Sequence, residues 1–140
     1  AHRHPHTRMG LSDAGAHCGA ICDGGMPTFM LTHWTRDRTR GPRLPLEFIV
    51  HRQTRQTAEF YGLHDRGLIA PGMRADINII DYDNLGFDVP RMAYDLPANG
   101  RRLVQHGQGY KATFVAGVQT VDNDSFTGEL PGRLVRGPQR

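Results

Sequence analysis

Apolar and polar positions follow two different patterns along the chain, and they predict helices in the first half and strands in the second. Over residues 45–61 the apolar side chains recur every three or four positions, which is typical of one face of an amphipathic helix. Pro45 suits the start of this helix, and Gly62 followed by Leu63 is typical of its end. Similar spacing predicts a shorter helix that begins at Pro27.

Strand-like patterns appear after residue 65. The alternation over Ala75–Asp81 predicts a half-buried strand, and Pro71 with Gly72 predicts a type II turn before it. Two segments rich in β-branched and aromatic residues, Tyr110–Ala116 and Val118–Asp122, predict a β-hairpin. Residues 82–109 show little periodicity, so we expect a long irregular strap there. The turn-rich tail over 127–137 is expected to add one short edge strand.

The first apolar segment points to a larger unit. Arg8–Ser12 is short and ends at Asp13, which is typical of a buried parallel strand and the loop that follows it. One such strand cannot pair both of its own edges, and its backbone groups need partners. We therefore expect residues 1–64 to be the end of a larger α/β unit and residues 65–140 to form a small β module.

Composition and charge narrow the class of protein. The chain has 140 residues, 38% of them apolar, with 17 glycines and 9 prolines, which argues against a coiled coil or a helical bundle. No apolar run reaches the ~20 residues that span a bilayer, so we expect no membrane partner. The formal net charge is +3, but acids interrupt the arginine clusters and aromatic residues do not interleave with them. We therefore expect no nucleic-acid partner.

Cys18 and Cys22 match neither a disulfide scaffold nor a zinc ribbon, so we interpret them as free thiols in the cytoplasm.

Asp13 is the residue that most clearly suggests chemistry. A carboxylate at the exit of a parallel strand faces the crevice where α/β enzymes bind ligands, and it can ligate a metal or accept a proton. The alternative is a structural turn residue, which explains most aspartates in glycine-rich loops. We interpret His2, His4 and His6 as part of a cut terminus rather than as a metal cluster. Because the sequence also begins without Met, we expect an incomplete protein.

Several phrases of the sequence resemble one family in the correct order. They are Gly10-Leu11-Ser12-Asp13-Ala14-Gly15-Ala16-His17, the segment Gly67–Ile77, the segment Phe114–Val118, and the segment Pro131–Gly137. They are similar to the amidohydrolase superfamily, and specifically to the C-terminal portion of its D-aminoacylase group, the N-acyl-D-amino-acid deacylases.

This resemblance implies a fold and an activity. Residues 1–64 would be the last strand–helix unit of a metal-dependent (β/α)8 barrel, and residues 65–140 a small β-sandwich-type module. The family hydrolyses amide bonds with one or two zinc ions, so a small N-acyl amino acid is the implied substrate. Asp13 matches the family position that acts as metal ligand or general base, and His17 matches a position we assign to the substrate pocket. The other metal ligands have no match here, so we predict that these 140 residues alone are inactive.

Two alternatives stay open. The first is another hydrolase of the same broad class, acting on cyclic amides as hydantoinases and dihydroorotases do. The second is a non-catalytic interaction module that docks on a partner chain, on the missing barrel, or on a second copy of itself. The lone strand at Arg8–Ser12 and the strap over 82–109 motivate this second alternative.

Overall fold

The computed structural model describes residues 2–10, 12–14 and 19–139, and its helices precede its strands. Helix α1 spans Met26–Thr32 and continues as a π-helical turn over His33–Asp37, α2 spans Leu46–Gln53, and α3 spans Arg55–Phe60. The strands are β1 Ile77–Ile80, β2 Gly86–Phe87, β3 Arg91–Leu96, β4 Gly100–Val104, β5 Gly107–Gln108, β6 Tyr110–Val115, β7 Val118–Asp122 and β8 Ser125–Phe126. A short 3₁₀ turn at Pro97–Asn99 separates β3 from β4.

The helix predicted over 45–61 is two helices, because the chain breaks at Thr54. This residue has φ −115° and ψ −93°, outside the helical region. Its hydroxyl donates a hydrogen bond of 2.8 Å to the carbonyl oxygen of Val50. A threonine that bonds back to the preceding turn often bends a helix, which accounts for the division.

The predicted end of this helical segment is confirmed. Gly62 has φ +72°, a conformation that glycine adopts without strain. The Leu63 N–H donates to the carbonyl oxygen of Ala58 at 2.8 Å, and the Gly62 N–H donates to that of Glu59 at 3.1 Å. These two bonds define a Schellman ending and satisfy carbonyls that the helix leaves without a partner.

The main sheet is antiparallel and has the strand order β1-β6-β7-β8. The predicted hairpin is confirmed as β6–β7, which turns at Ala116 and Gly117, both with positive φ. The strand predicted over 75–81 is confirmed as β1, which pairs with β6. The turn before it is confirmed as well, because the Met73 N–H donates to Ala70 at 3.1 Å and Gly72 has φ +84°.

Three sequence predictions are wrong. The segment over 82–109 is not irregular: it contains β2, β3, β4 and β5, and β3 pairs with β4 as a hairpin. The sequence hides this hairpin because most of β3 is exposed, so no apolar side alternates with a polar one. The edge strand is β8, and residues 127–137 carry no strand. The described residues 8–10 and 12 carry none either, since no neighbouring strand pairs with them.

One core joins the two halves of the chain. Its buried members come from the helical half and from the loop before β2: Met30, Leu31, Leu44, Ile49 and Leu85. Arg36 adds a polar connection, because its guanidinium donates to the carbonyl oxygens of Tyr82, Asp83 and Leu85, the last two at 3.1 and 2.9 Å. The helices are therefore packed directly on the strand-bearing half. The domain boundary at residue 64 stays a prediction.

The described residues form a mixed helical and antiparallel structure, and they contain no closed barrel. The assignment of residues 1–64 to the end of a barrel and of residues 65–140 to a β-sandwich-type module stays a prediction. None of the described helices is long and apolar enough to cross a membrane.

Candidate functional site

Asp13 has a left-handed backbone conformation, which no contact among the described residues explains. Its φ is +50°, in the left-handed region that non-glycine residues seldom occupy. The other described non-glycine residues with positive φ all lie in turns that connect two strands: Ala98, Asn99, Ala116, Asn123 and Asp124. Asp13 lies in no such turn. Unusual backbone angles of this kind cluster at functional sites, so Asp13 remains the first candidate.

The Asp13 side chain is exposed and open to further partners. Within the part of the chain that the structure describes, it makes no hydrogen bond and no ion pair. Among the described residues, no second titratable group is therefore paired with Asp13. His17 and Cys18 lie outside the described residues, and Cys22 is a half-buried free thiol.

A groove lies between the loop before α1 and the strands β2 and β5. It has two adjoining compartments, of about 270 and 370 Å³, which share Gly25, Phe87 and Gln105. We call the whole the junction groove. Its polar compartment includes Thr28, Gln105, His106, Tyr110 and Asp124. Its apolar compartment includes Met26, Phe29, Phe87 and Pro90.

Gly25 allows the two walls of the junction groove to approach each other. A Cβ at this position would lie 2.8 Å from Oε1 of Gln105 and 3.5 Å from Cδ2 of Phe87. The Gln105 side chain is also held from the other direction, since its Nε2 donates to the carbonyl oxygen of Asp88 at 2.8 Å. Any side chain at residue 25 would therefore require the Gln105 amide to shift.

The polar compartment is built from residues distant in sequence. The hydroxyls of Thr28 and Tyr110 are 2.6 Å apart. The Asp124 carboxylate accepts hydrogen bonds from the backbone N–H groups of Gly109, at 3.0 Å, and of Tyr110. Asp124 thereby fixes the start of β6, and its oxygens are occupied. We therefore assign it a structural role rather than that of a free base.

The loop that carries Asp13 borders the polar compartment. A Cβ at Gly24, which lines this compartment, would lie 3.6 Å from the Cβ of Ala14. Because Ala14 directly follows Asp13, the backbone of Asp13 lies near the junction groove. The structure thus places the predicted catalytic residue next to a groove that the sequence analysis did not identify.

The described residues do not by themselves form a metal site. They contain no group of three or more His, Cys, Asp or Glu side chains arranged to hold an ion. His2 packs edge-on against Trp34, with ring centroids 4.5 Å apart, and burial lowers its pKa. The rings of His4 and His6 are 5.5 Å apart. A metal would need most of its ligands from elsewhere, so we derive no step through one.

The junction groove was missed because its walls come from opposite halves of the sequence. Gly24 and Gly25 carry no side chain that a sequence pattern could assign to a site. Gln105 and Phe87 lie inside the segment interpreted as a strap, and nothing in the local pattern pairs them with Gly25. The one available signal was that long segments of this kind often serve a function.

Curated relatives are similar to this chain over limited stretches. An N-acyl-D-aspartate deacylase from Alcaligenes xylosoxydans xylosoxydans is 31% identical over 74% of this chain and 19% of its own length. An uncharacterized protein from Mycobacterium tuberculosis is 31% identical over 90% of this chain and 21% of its length. An adenine deaminase from Desulfatibacillum aliphaticivorans is 45% identical over 38% of this chain and 8% of its length.

The chain thus spans about a fifth or less of the length of these relatives. No solved structure matches it significantly. A sequence model of the amidohydrolase family matches residues 1–121, which is most of the chain and includes both the Asp13 loop and the junction groove up to β7. Because this match covers more than half of the chain, the chain belongs to the amidohydrolase family.

Proposed function

We propose that this chain is the C-terminal segment of a hydrolase that cleaves the amide bond of N-acyl amino acids. Membership of the amidohydrolase family carries the hydrolase part of the proposal. The similarity to a protein named N-acyl-D-aspartate deacylase supports the substrate class. The observation that supports a direct contribution from this chain is the exposed, left-handed Asp13 beside the junction groove.

Asp13 is proposed to move the proton that hydrolysis requires. Water attacks the carbonyl carbon of the amide, and the Asp13 carboxylate accepts a proton from that water. When the C–N bond breaks, the carboxyl group returns the proton to the leaving amine, so that a carboxylic acid and a free amine are formed. A positioned carboxylate used in this way typically contributes about 10²–10⁴-fold to the rate.

The proposal includes zinc as the cofactor of the complete enzyme, one or two ions, with Asp13 as one ligand. Because the described residues form no metal site, the other ligands would come from outside them, and isolated residues 1–140 are expected to be inactive. His17 is proposed to contact the substrate. A cytoplasmic location is proposed because Cys22 is a free thiol.

A second candidate reaction is deamination of a heterocyclic amine. The adenine deaminase similarity over 53 residues favours it, since deaminases also hydrolyse a C–N bond. Hydrolysis of cyclic amides, as in hydantoinases, is the remaining alternative in this class.

The experiment is a substrate panel with the longest natural protein that contains this chain. The panel holds N-acyl-D- and N-acyl-L-amino acids, a hydantoin, dihydroorotate and adenine, and the assay measures release of amine or ammonia. We expect kcat/KM for the best N-acyl amino acid to exceed that for adenine and the cyclic amides by about 100-fold. Preference for adenine or a cyclic amide would replace the proposal by that alternative, and no turnover on any compound would contradict it.

We also propose that this chain docks on a further part of its own protein. Several large apolar side chains are almost fully exposed, among them Ile69, Val89, Phe126 and Leu130. An interface with a further part of the protein would cover large apolar side chains that are exposed to this extent. Light scattering after size exclusion tests the proposal: residues 1–140 alone should self-associate, and the longer protein should not expose these side chains to labelling. A stable monomer of residues 1–140 would contradict it.

A further inference from the structure

We infer that the apolar compartment of the junction groove receives the acyl chain of the substrate and selects its length. The inference rests on the proposed function, because it assumes that an N-acyl amino acid reacts at the neighbouring Asp13. It goes beyond that proposal in assigning specificity to residues of this chain: Gly25, Phe87 and Gln105 on the shared wall, and Met26 and Phe29 beyond them.

The position of the junction groove supports this assignment. Ala14, the neighbour of Asp13, packs at Gly24, which lines the polar compartment. The apolar compartment lies on the other side of the shared Gly25, next to Met26 and Phe29 at the start of α1. A substrate held with its amide near Asp13 can therefore enter the groove through the polar compartment and extend into the apolar one.

The chemistry of the two compartments matches the two ends of such a substrate. One of the two hydroxyls of Thr28 and Tyr110 donates a hydrogen bond to the other. The proton of the accepting hydroxyl therefore remains available to donate to a carbonyl or carboxylate. The walls of the other compartment include the apolar side chains of Met26, Phe29, Phe87 and Pro90, beside Cys22, Asp23 and Gln105. The four apolar side chains offer an alkyl or aryl chain contact that removes part of its surface from water. Its volume of about 370 Å³ lies within the range of small-molecule sites.

The junction groove is also a built feature rather than a loose gap. Gln105 is held by Asp88, and Tyr110 is held both by Thr28 and by the Asp124 carboxylate. Walls held from two directions keep a defined width, and a defined width is what discriminates between chains that differ by a few methylene groups.

The test uses Gly25→Ala and its matched control Gly86→Ala in the longest natural protein. Both replace a glycine that lacks positive φ, but the new methyl group at residue 25 meets Gln105 at 2.8 Å, whereas the one at residue 86 meets nothing within 4 Å. The measurement is kcat/KM for a series with one amino acid and N-acetyl, N-butyryl, N-hexanoyl and N-octanoyl groups.

For Gly25→Ala we expect a loss of kcat/KM that grows with the length of the acyl chain, so that kcat/KM for the octanoyl substrate falls about 10-fold more than that for the acetyl substrate. For Gly86→Ala we expect the same dependence on chain length as in the unmodified protein. Phe87→Ala should act in the opposite direction and raise the octanoyl-to-acetyl ratio by about 10-fold, which keeps the test valid if Gly25→Ala does not fold. An unchanged chain-length profile in an active protein would overturn the inference alone. If the unmodified protein hydrolyses none of the series, the proposed function fails and the inference fails with it.

Discussion

The core that joins the two halves of the chain differs in two ways from the loop that carries Asp13. At the junction, Leu85 is only 2% exposed and Arg36 donates to three carbonyl oxygens. In the loop, Asp13 is exposed and makes no polar contact with the described residues. The difference indicates that the buried groups fix the geometry of the fold, whereas the exposed Asp13 carboxylate is available to react. Functional residues commonly lie on loops that a rigid scaffold positions.

The largest stability effect is expected from the junction itself. Leu85→Ala removes a fully buried side chain from the shared core and should lower the free energy of unfolding by about 3 kcal/mol. Leu130→Ala is the control, because Leu130 is 93% exposed and its loss should change little. Urea unfolding of both variants measures the difference. Equal effects would show that the core does not connect the two halves.

Arg36 should contribute less than Leu85, because its side chain is partly exposed. Arg36→Ala removes the donors for the carbonyl oxygens of Asp83 and Leu85 and should destabilise by about 1–3 kcal/mol in the same assay. Arg36→Lys should recover only part of this loss, since a lysine cannot reach several acceptors with one planar group. Full recovery by lysine would mean that charge alone matters at this position.

A smaller effect is expected at the end of the helical segment. Gly62→Ala places a Cβ at φ +72° and 3.2 Å from the Cβ of Pro138, and should cost about 1 kcal/mol of unfolding free energy. Gly86→Ala, in open space and without positive φ, is the matched control. Indistinguishable thermal midpoints for the two variants would contradict the role of Gly62 as a helix end.

The smallest effect concerns the exposed carboxylates. The Arg102 guanidinium, through hydrogen bonds to Asp95, lowers the pKa of that carboxyl from its usual value, and Arg66 does the same for Asp65. Because the folded pKa values are lowered, this stabilisation is fully present above the ordinary aspartate pKa and is lost progressively as pH falls through the lowered pKa of the folded state. Asp95→Asn should therefore lower the urea midpoint slightly at pH 7 and by less at pH 2.5. A difference as large at pH 2.5 as at pH 7 would exclude the ion pair as its cause.

Local features of the fold could be predicted from the sequence, and long-range ones could not. The Schellman ending at Gly62 and the turns at Gly72 and Gly117 depend on one or two residues whose backbone preferences are strong. The hairpin β3–β4 escaped prediction because its strands are too exposed to show an apolar side. The break at Thr54 depends on a single side-chain hydrogen bond that helical periodicity does not reveal.

The candidate site shows the same limit. Asp13 was found because its residue type and its position after an apolar segment suggest chemistry locally. The junction groove depends on contacts such as Thr28 with Tyr110, 82 positions apart, which no local pattern encodes. Only the packing of α1 on the β2–β5 pair brings these side chains together.

The most direct test of this account is Asp13→Asn, with Asp83→Asn as the control carboxylate outside the candidate site. Two quantities are measured for each variant: turnover of the best N-acyl amino acid by the longest natural protein, and the free energy of unfolding. We predict that Asp13→Asn lowers kcat by at least about 100-fold while stability changes by less than about 0.5 kcal/mol, and that Asp83→Asn retains turnover. Normal turnover in the Asp13 variant would contradict the account.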